Sequence, residues 1–247
     1  MKITEIRLGT LSIPLKKPFK TALRTTNTVP TNIVEIRTDT GACGYGEAPP
    51  TAAITGDTDG SISCAIKTRI APARIGRDVS ELQDALFALD HCIVGNGSGK
   101  AAADIALHDL WGKLYNQPLY KLWGGTGRTF ATDYTISLNQ PEEMVRDSLE
   151  AVQDGYDALK IKVGNDFLLD MQRMQAIRDA VGKDVLLRVD ANQGWNPKQA
   201  IHAIKYMEDK GLDIELVEQP VPYHDVEGLK RVTDSVDTII LADESVY

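Results

Sequence analysis

A chain of 247 residues, 43% apolar and 25% charged, has the balance of an ordinary globular protein and enough length for one large core or two domains. A net charge of −8 argues against nucleic acid or an anionic membrane surface as a partner, although a bound cation would still admit an anionic substrate. The three cysteines, Cys43, Cys64 and Cys92, show no CxxC spacing, so they read as reduced thiols of a cytoplasmic protein rather than as a disulfide framework or a zinc site.

No apolar run follows Lys2, and no stretch approaches the length of a membrane span, so neither a signal peptide nor a membrane partner is expected. Residues 2–14 alternate as a strand. NIVEIRT at 32–38 and ACGYGE at 42–47, joined by the turn Asp39-Thr40-Gly41, extend it into an antiparallel meander. A loop at 49–60 follows, and the pattern then turns helical, with apolar residues at helical spacing over 80–92 and 100–115. Gly97-Ser98-Gly99 precedes the second of these helices, and Gly124-Gly125 closes an α+β domain placed at 1–127.

Residues 128–247 change to strand–helix alternation. Strands are expected at 133–138, 158–163, 185–190, 214–218 and 238–243. Pro141, Asp166 and Asn196-Pro197 open the helices between them, and Gly155, Gly182 and Gly211 close them. Short connections in such an alternation demand a parallel sheet, because each strand must return by a crossover. The polar residues Thr135, Lys162, Asp190, Glu218 and Asp243 recur at steps of 27, 28, 28 and 25 residues, one β/α unit each. They fall at or beside the C-terminal strand ends, where barrel enzymes build their sites. Absence of a GxGxxG turn removes the main support for a dinucleotide-binding sheet.

A single acidic residue at a strand end is usually a cap or a solvated charge. Asp190, Glu218 and Asp243 on successive strand ends would repel one another, and a hard divalent cation with oxygen ligands relieves that repulsion. Mg²⁺ or Mn²⁺ fits, whereas no His or Cys among the candidates suggests zinc. Alternation places Lys160 and Lys162 on one face of their strand, within a sheet normally covered on both sides. Mutual repulsion and burial are expected to lower their pKa values, so that one can act as a general base while the cation holds a substrate carboxylate.

KIK, VDANQGW, ELVEQP and LADES, in this order at successive strand ends, resemble the barrel motifs of the enolase superfamily, muconate-lactonising subgroup. AAADIALHDLWGKLYNQPLYKLWGG at 101–125 is similar to the end of that family's capping domain. The resemblance implies a (β/α)₇β barrel of enolase type, of which about five β/α units are present, preceded by an α+β capping domain. It implies Asp190, Glu218 and Asp243 as metal ligands, Lys162 with Lys160 as acid/base residues, and Asn192 as an orienting residue behind the ligands. Glu244 competes with Asp243 as third ligand, and strand alternation would turn the two to opposite faces. Within the subgroup the chain most resembles the dipeptide epimerases of L-Ala-D/L-Glu type. PFKTALRTTNT at 18–28 and GEAPPTAAITGD at 46–57 resemble that group's two cap loops, which implies that Arg24 pairs with the side-chain carboxylate of a Glu-containing dipeptide. Thr135 becomes a substrate-binding residue of the rim.

The sequence ends at Tyr247, after the fifth expected barrel strand, without the further lysine and the Asp-x-Asp motif that the family places on later strands. On that ground a truncated barrel with exposed strand edges and weak or no epimerase activity is expected, limited to proton exchange on one face. The alternatives are a muconate cycloisomerase, an o-succinylbenzoate synthase or an inactive fragment. A homo-oligomer is compatible with any of these readings.

Overall fold

The protein is described by a computed structural model covering residues 1–246. Its contacts divide the chain into two compact units, Met1–Pro14 with Thr28–Thr129, and Leu15–Asn27 with the chain from Phe130 onward. Among the described residues no helix is long and apolar enough to cross a membrane.

The N-terminal alternation produces a three-stranded sheet in the order β1 (Ile3–Lys20), β2 (Thr25–Thr38), β3 (Cys43–Ala48). β2 and β3 pair antiparallel, with Asn32 opposite Ala48 and Arg37 opposite Cys43. The helices that follow are α1 (Asp59–Ala65), α2 (Ala71–Arg74), α3 (Leu82–His91), α4 (Gly97–Tyr115) and α5 (Leu119–Leu122), with a π-helical turn, Ile66–Ile70, joining α1 to α2. Thr58 opens α1 through a capping box with Ser61. α4 begins three residues before the expected 100. Asp57 accepts a hydrogen bond from the Ser98 amide at 3.0 Å, so Gly97-Ser98-Gly99 enters the first turn instead of preceding it.

The core of this unit rests on backbone proximity. Val34, Ile36, Ala48, Ala102, Ala103, Ala106 and Leu110 are buried together. A Cβ on Gly46 would stand 1.8 Å from the Ala102 carbonyl oxygen, and one on Gly44 would stand 2.2 Å from that of Ala106. The small residues of β3 and the alanines of α4 therefore form one interlock, in which strand and helix backbones meet directly.

The second unit alternates β4 (Tyr134–Ile136), α6 (Pro141–Gln153), β5 (Ala158–Lys162), α7 (Phe167–Val181), β6 (Leu186–Asp190), α8 (Pro197–Asp209), β7 (Ile214–Glu218), α9 (Val226–Thr233) and β8 (Ile239–Leu241). The strands form one parallel sheet in sequence order, β4 to β8. Leu159, Ile161, Val189 and Val217 pack with Met174, Ile177, Ala203, Ile204 and Val232 of the helices. Asp166 caps α7 by accepting from the Leu169 amide, and Asn196 and Gln199 form a capping box on α8.

Two differences from the expected elements bear on the site. β1 continues past 14 to Lys20 because its end finds partners at β4: the Lys20 amide donates to Ser137 Oγ at 2.8 Å, and the Leu138 amide donates to the Lys20 carbonyl at 3.0 Å. The segment placed at 18–28 in a cap loop thus lies with the second unit through Asn27. β8 stops at Leu241, short of the expected 243, because Gln219 draws the following residues into a turn, Glu244–Val246.

Replacing Gly46 with alanine should cost about 3 kcal/mol, the upper range for an overpacked core, because the methyl group meets backbone that cannot rotate away. Urea unfolding of the variant beside the wild type reads this directly. An unchanged midpoint would show that α4 does not approach β3 so closely.

Candidate active site

Strand register sorts the rim residues into levels. Lys162 stands opposite Asp190, and Asp190 opposite Glu218. Thr135 stands opposite Lys160, two residues deeper in the sheet, and Asp243 lies two residues beyond Leu241, the partner of Glu218. Displacements of two preserve the face, so Thr135 shares the face of Lys160 and Lys162. The near-constant sequence step therefore conceals three levels, with Lys162, Asp190 and Glu218 at the middle one.

At that level the side chains form a buried charge cluster. Asp190 is 1% exposed, and Lys162 and Glu218 are each 8% exposed. The Lys162 ammonium contacts Asp190 Oδ2, and Lys160 Nζ bridges Asp190 Oδ2 at 3.1 Å and Glu218 Oε2 at 2.7 Å. The Asn192 amide donates to Asp190 Oδ1 at 2.9 Å. Burial alone would push the Asp190 pKa up, but the charge and hydrogen bond of Lys162, with Lys160 and the Asn192 amide, hold it below the usual carboxylate range. Glu218 goes the other way: burial and the charge of Asp190 outweigh the Lys160 hydrogen bond and raise it. For Lys160, burial is outweighed by the bond to Glu218 and the attraction of Asp190, so its pKa is raised. The lowered value expected from lysine–lysine repulsion is corrected here, because the carboxylates stand within contact of the ammonium.

Among the described residues no three His, Cys, Asp or Glu side chains converge as a metal-ligating group. Lys160 lies between two carboxylates instead, and Lys162 against one of them. Carboxylate oxygens are nevertheless the donors a hard cation takes, and Asp190 and Glu218 meet at one level with Lys160 between them. Glu244, next to Asp243 in the chain, is buried with both carboxylate oxygens lacking a hydrogen-bond partner among the described residues. Glu244 opens a 3-10 turn, so the strand alternation expected to separate it from Asp243 does not operate there.

Arg24 is exposed on a tight turn of the second unit. The Thr21 amide donates to the Arg24 carbonyl at 2.9 Å, and Thr21 Oγ1 accepts from the amides of Leu23 and Arg24. Ala22 of this turn rests against Gly164, two residues after Lys162, so closely that a Cβ on Gly164 would lie 3.1 Å from that of Ala22. The turn carrying Arg24 is thereby seated beside the end of β5.

Two contributors, Gln219 and Arg188, were not singled out from the sequence, and a third, Asn192, was expected as an orienting residue. Gln219, fully buried with φ 34°, accepts through Oε1 from the amides of Asp243 and Ser245 and holds the segment after β8 against β7. Its signal was its place directly after Glu218 in the EQP motif. Arg188, opposite Lys160, binds Asp133 at 2.8 Å and Glu215 at 2.6 Å beneath the cluster. The Asn192 contribution is through its backbone amide, enabled by a φ of 41°, while its side-chain oxygen has no partner.

Residues 3–124 match the model of the mandelate racemase/muconate lactonizing enzyme N-terminal domain, and residues 143–247 match the enolase C-terminal domain-like model. The chain belongs to the mandelate racemase/muconate lactonizing enzyme family. It is 54% identical to an L-Ala-D/L-Glu epimerase of Clostridium acetobutylicum over 247 residues, covering 100% of this chain and 69% of that protein. The structure of a substrate-liganded L-Ala-D/L-Glu epimerase from Bacillus subtilis superposes with a TM-score of 0.95 at 51% identity, covering 99% of this chain and 68% of that one. A dipeptide epimerase from Enterococcus faecalis, solved with Mg and L-Leu-L-Tyr, superposes with a TM-score of 0.94 at 42% identity and covers 99% and 68%.

For this family member the electrostatics of Glu218 give a pH dependence whose sign follows from linkage. A group whose folded pKa is raised adds stability below its unfolded value and loses it as the pH rises through the folded one. Glu218→Gln, which cannot ionise, should therefore melt progressively higher than the metal-free wild type as the pH rises above the ordinary glutamate value of 4.5, with the difference vanishing at the acid end. Melting curves across that range check it. A variant less stable than the wild type at the alkaline end would mean that Lys160 stabilises the ionised glutamate more than burial costs.

Proposed function

We propose that the protein is a Mg²⁺-dependent dipeptide epimerase of the L-Ala-D/L-Glu type, removing the proton α to a carboxylate. The observation that carries this reading is the buried contact of Lys162 with Asp190 beside Glu218, a base candidate against an anionic rim, in a chain about half identical to L-Ala-D/L-Glu epimerases.

Asp190, Glu218 and Asp243 would hold the Mg²⁺, which when bound supplies positive charge beside the substrate carboxylate. Lys162, once its ammonium has given up a proton to solvent, accepts the α-proton at Nζ, and the electron pair of the broken C–H bond delocalises into the adjacent carboxylate. Lys160, whose carboxylate neighbours keep it protonated, contributes a fixed positive charge that favours the developing anion. Thr135, level with Lys160, offers a hydroxyl for hydrogen bonding to the dipeptide. Arg24 faces no acidic partner among the described ion pairs, and its planar guanidinium suits the side-chain carboxylate of a C-terminal Glu. Return of the proton by the same lysine restores the starting configuration, and in D₂O it leaves deuterium at the α-carbon. Inversion requires delivery to the opposite face.

Incubation of L-Ala-L-Glu with the protein and Mg²⁺ in D₂O should introduce α-deuterium detectable by mass spectrometry. Lys162→Ala should slow this by about 10²–10⁴-fold, the usual worth of a positioned general base. Equal incorporation by both proteins would remove Lys162 from the chemistry. Arg24→Ala should lower kcat/KM on L-Ala-L-Glu by about tenfold or more, as expected on losing a charge-assisted hydrogen bond. Its Mg²⁺ affinity should stay that of the wild type. An unchanged kcat/KM would place the glutamate carboxylate elsewhere.

A further inference from the structure

Asp170 and Arg173, in the first turns of α7, are 0% and 2% exposed, and neither belongs to the charge cluster on the rim. Their 2.7 Å ion pair is the centre of a network reaching three loops. Asp170 Oδ2 accepts from the Gly164 amide at 2.9 Å and from Trp195 Nε1 at 3.1 Å. Arg173 donates through Nε to the Asn139 carbonyl at 2.7 Å and through a terminal nitrogen to Asn165 Oδ1 at 2.8 Å. Asn139 lies in the loop after β4, Gly164 and Asn165 in the loop after β5, and Trp195 in the loop after β6.

Those strands carry Thr135, Lys162 and Asp190. The latter two loops also cross backbone to backbone: a Cβ on Gly164 would lie 2.2 Å from the Ala191 carbonyl oxygen, and one on Gly194 would lie 2.1 Å from that of Gly164. Taking two charges out of water is costly, and apolar residues of the same volume would pack α7 equally well. What apolar residues could not do is hold three loops in one register through directional bonds. Displacement of a reacting group by about 1 Å can cost about 10²-fold in rate.

We propose that the Asp170–Arg173 pair is a positioning device, setting the spacing of Lys162 and Asp190 by tying together the loops that leave β4, β5 and β6. It acts through those residues and touches no substrate, and as a statement about catalysis it rests on the epimerase reading above.

The test uses the whole protein with Asp170→Asn, which keeps the shape and removes the charge, and with Trp195→Phe, which removes one donor and keeps a ring in the core. kcat and KM for α-proton exchange on L-Ala-L-Glu are measured with the melting temperature, and Mn²⁺ affinity is measured by calorimetry. Loss of an outer-shell partner typically costs about 10–100-fold, so Asp170→Asn should lower kcat per folded molecule by about tenfold or more, with KM within about threefold. Trp195→Phe should lower kcat by a smaller factor in the same sense. A kcat within about twofold of wild type in every variant that folds, whatever its melting temperature, overturns the proposal. Should Asp170→Asn fail to fold, Trp195→Phe decides alone. If the wild type exchanges no α-proton, the epimerase reading falls. The positioning role is then decided by Mn²⁺ affinity, weakened in the variants if it holds and unchanged if it does not.

Discussion

A carboxylate removed from water stays ionised only if something nearby is positive, and the second unit of this protein is arranged around that constraint. Asp190 is almost completely buried and lies against the ammonium groups of Lys160 and Lys162, with a backbone amide on its other oxygen. Each of these partners is delivered by regular structure. The parallel register sets Lys162 opposite Asp190 and Asp190 opposite Glu218, and period-two alternation returns Lys160 to the same face. The same low-dielectric setting divides the carboxylates, holding Asp190 below and pushing Glu218 above the ordinary range.

Loop backbone supports this arrangement as much as side chains do. Gly164 and Gly194 let two adjacent loops pass in van der Waals contact, and the Ala22 turn that carries Arg24 rests on the same glycine. Gln219 performs a comparable task between β7 and the turn after β8. The strand-end groups are therefore held from behind by buried polar bonds, each of which would be costly to leave unpaired. The first unit uses a different device, the direct approach of α4 to the glycines of β3, where alanine side chains leave room for backbone contact.

Family membership and this geometry address different questions. Family membership identifies the kind of chain. The geometry assigns separate physical roles within one motif. In KIK, Lys160 bridges two carboxylates and has a raised pKa, whereas Lys162 pairs, among the described residues, with Asp190.

Much of this was legible from residues alone, and for definite reasons. Strand–helix alternation with caps and terminal glycines is local chemistry, so the five parallel strands and the helices between them follow from it. The strand-end carboxylates and the KxK pair were legible because a period of one β/α unit converts sequence spacing into spatial proximity. Tertiary structure decided what depends on partners distant in the chain. β1 runs on to Lys20 because Ser137 and Leu138 complete its hydrogen bonds. α4 starts at Gly97 because Asp57 caps it from 41 residues away. Lys160 is stabilised as an ammonium rather than as an amine because Glu218, 58 residues on, and Asp190 stand in contact with it and outweigh its burial. Offsets of two residues among the rim positions, and the burial of Asp170 with Arg173, likewise arise only when the strands are in register, since sequence spacing records how far along the chain a residue lies and not the level at which its strand pairs.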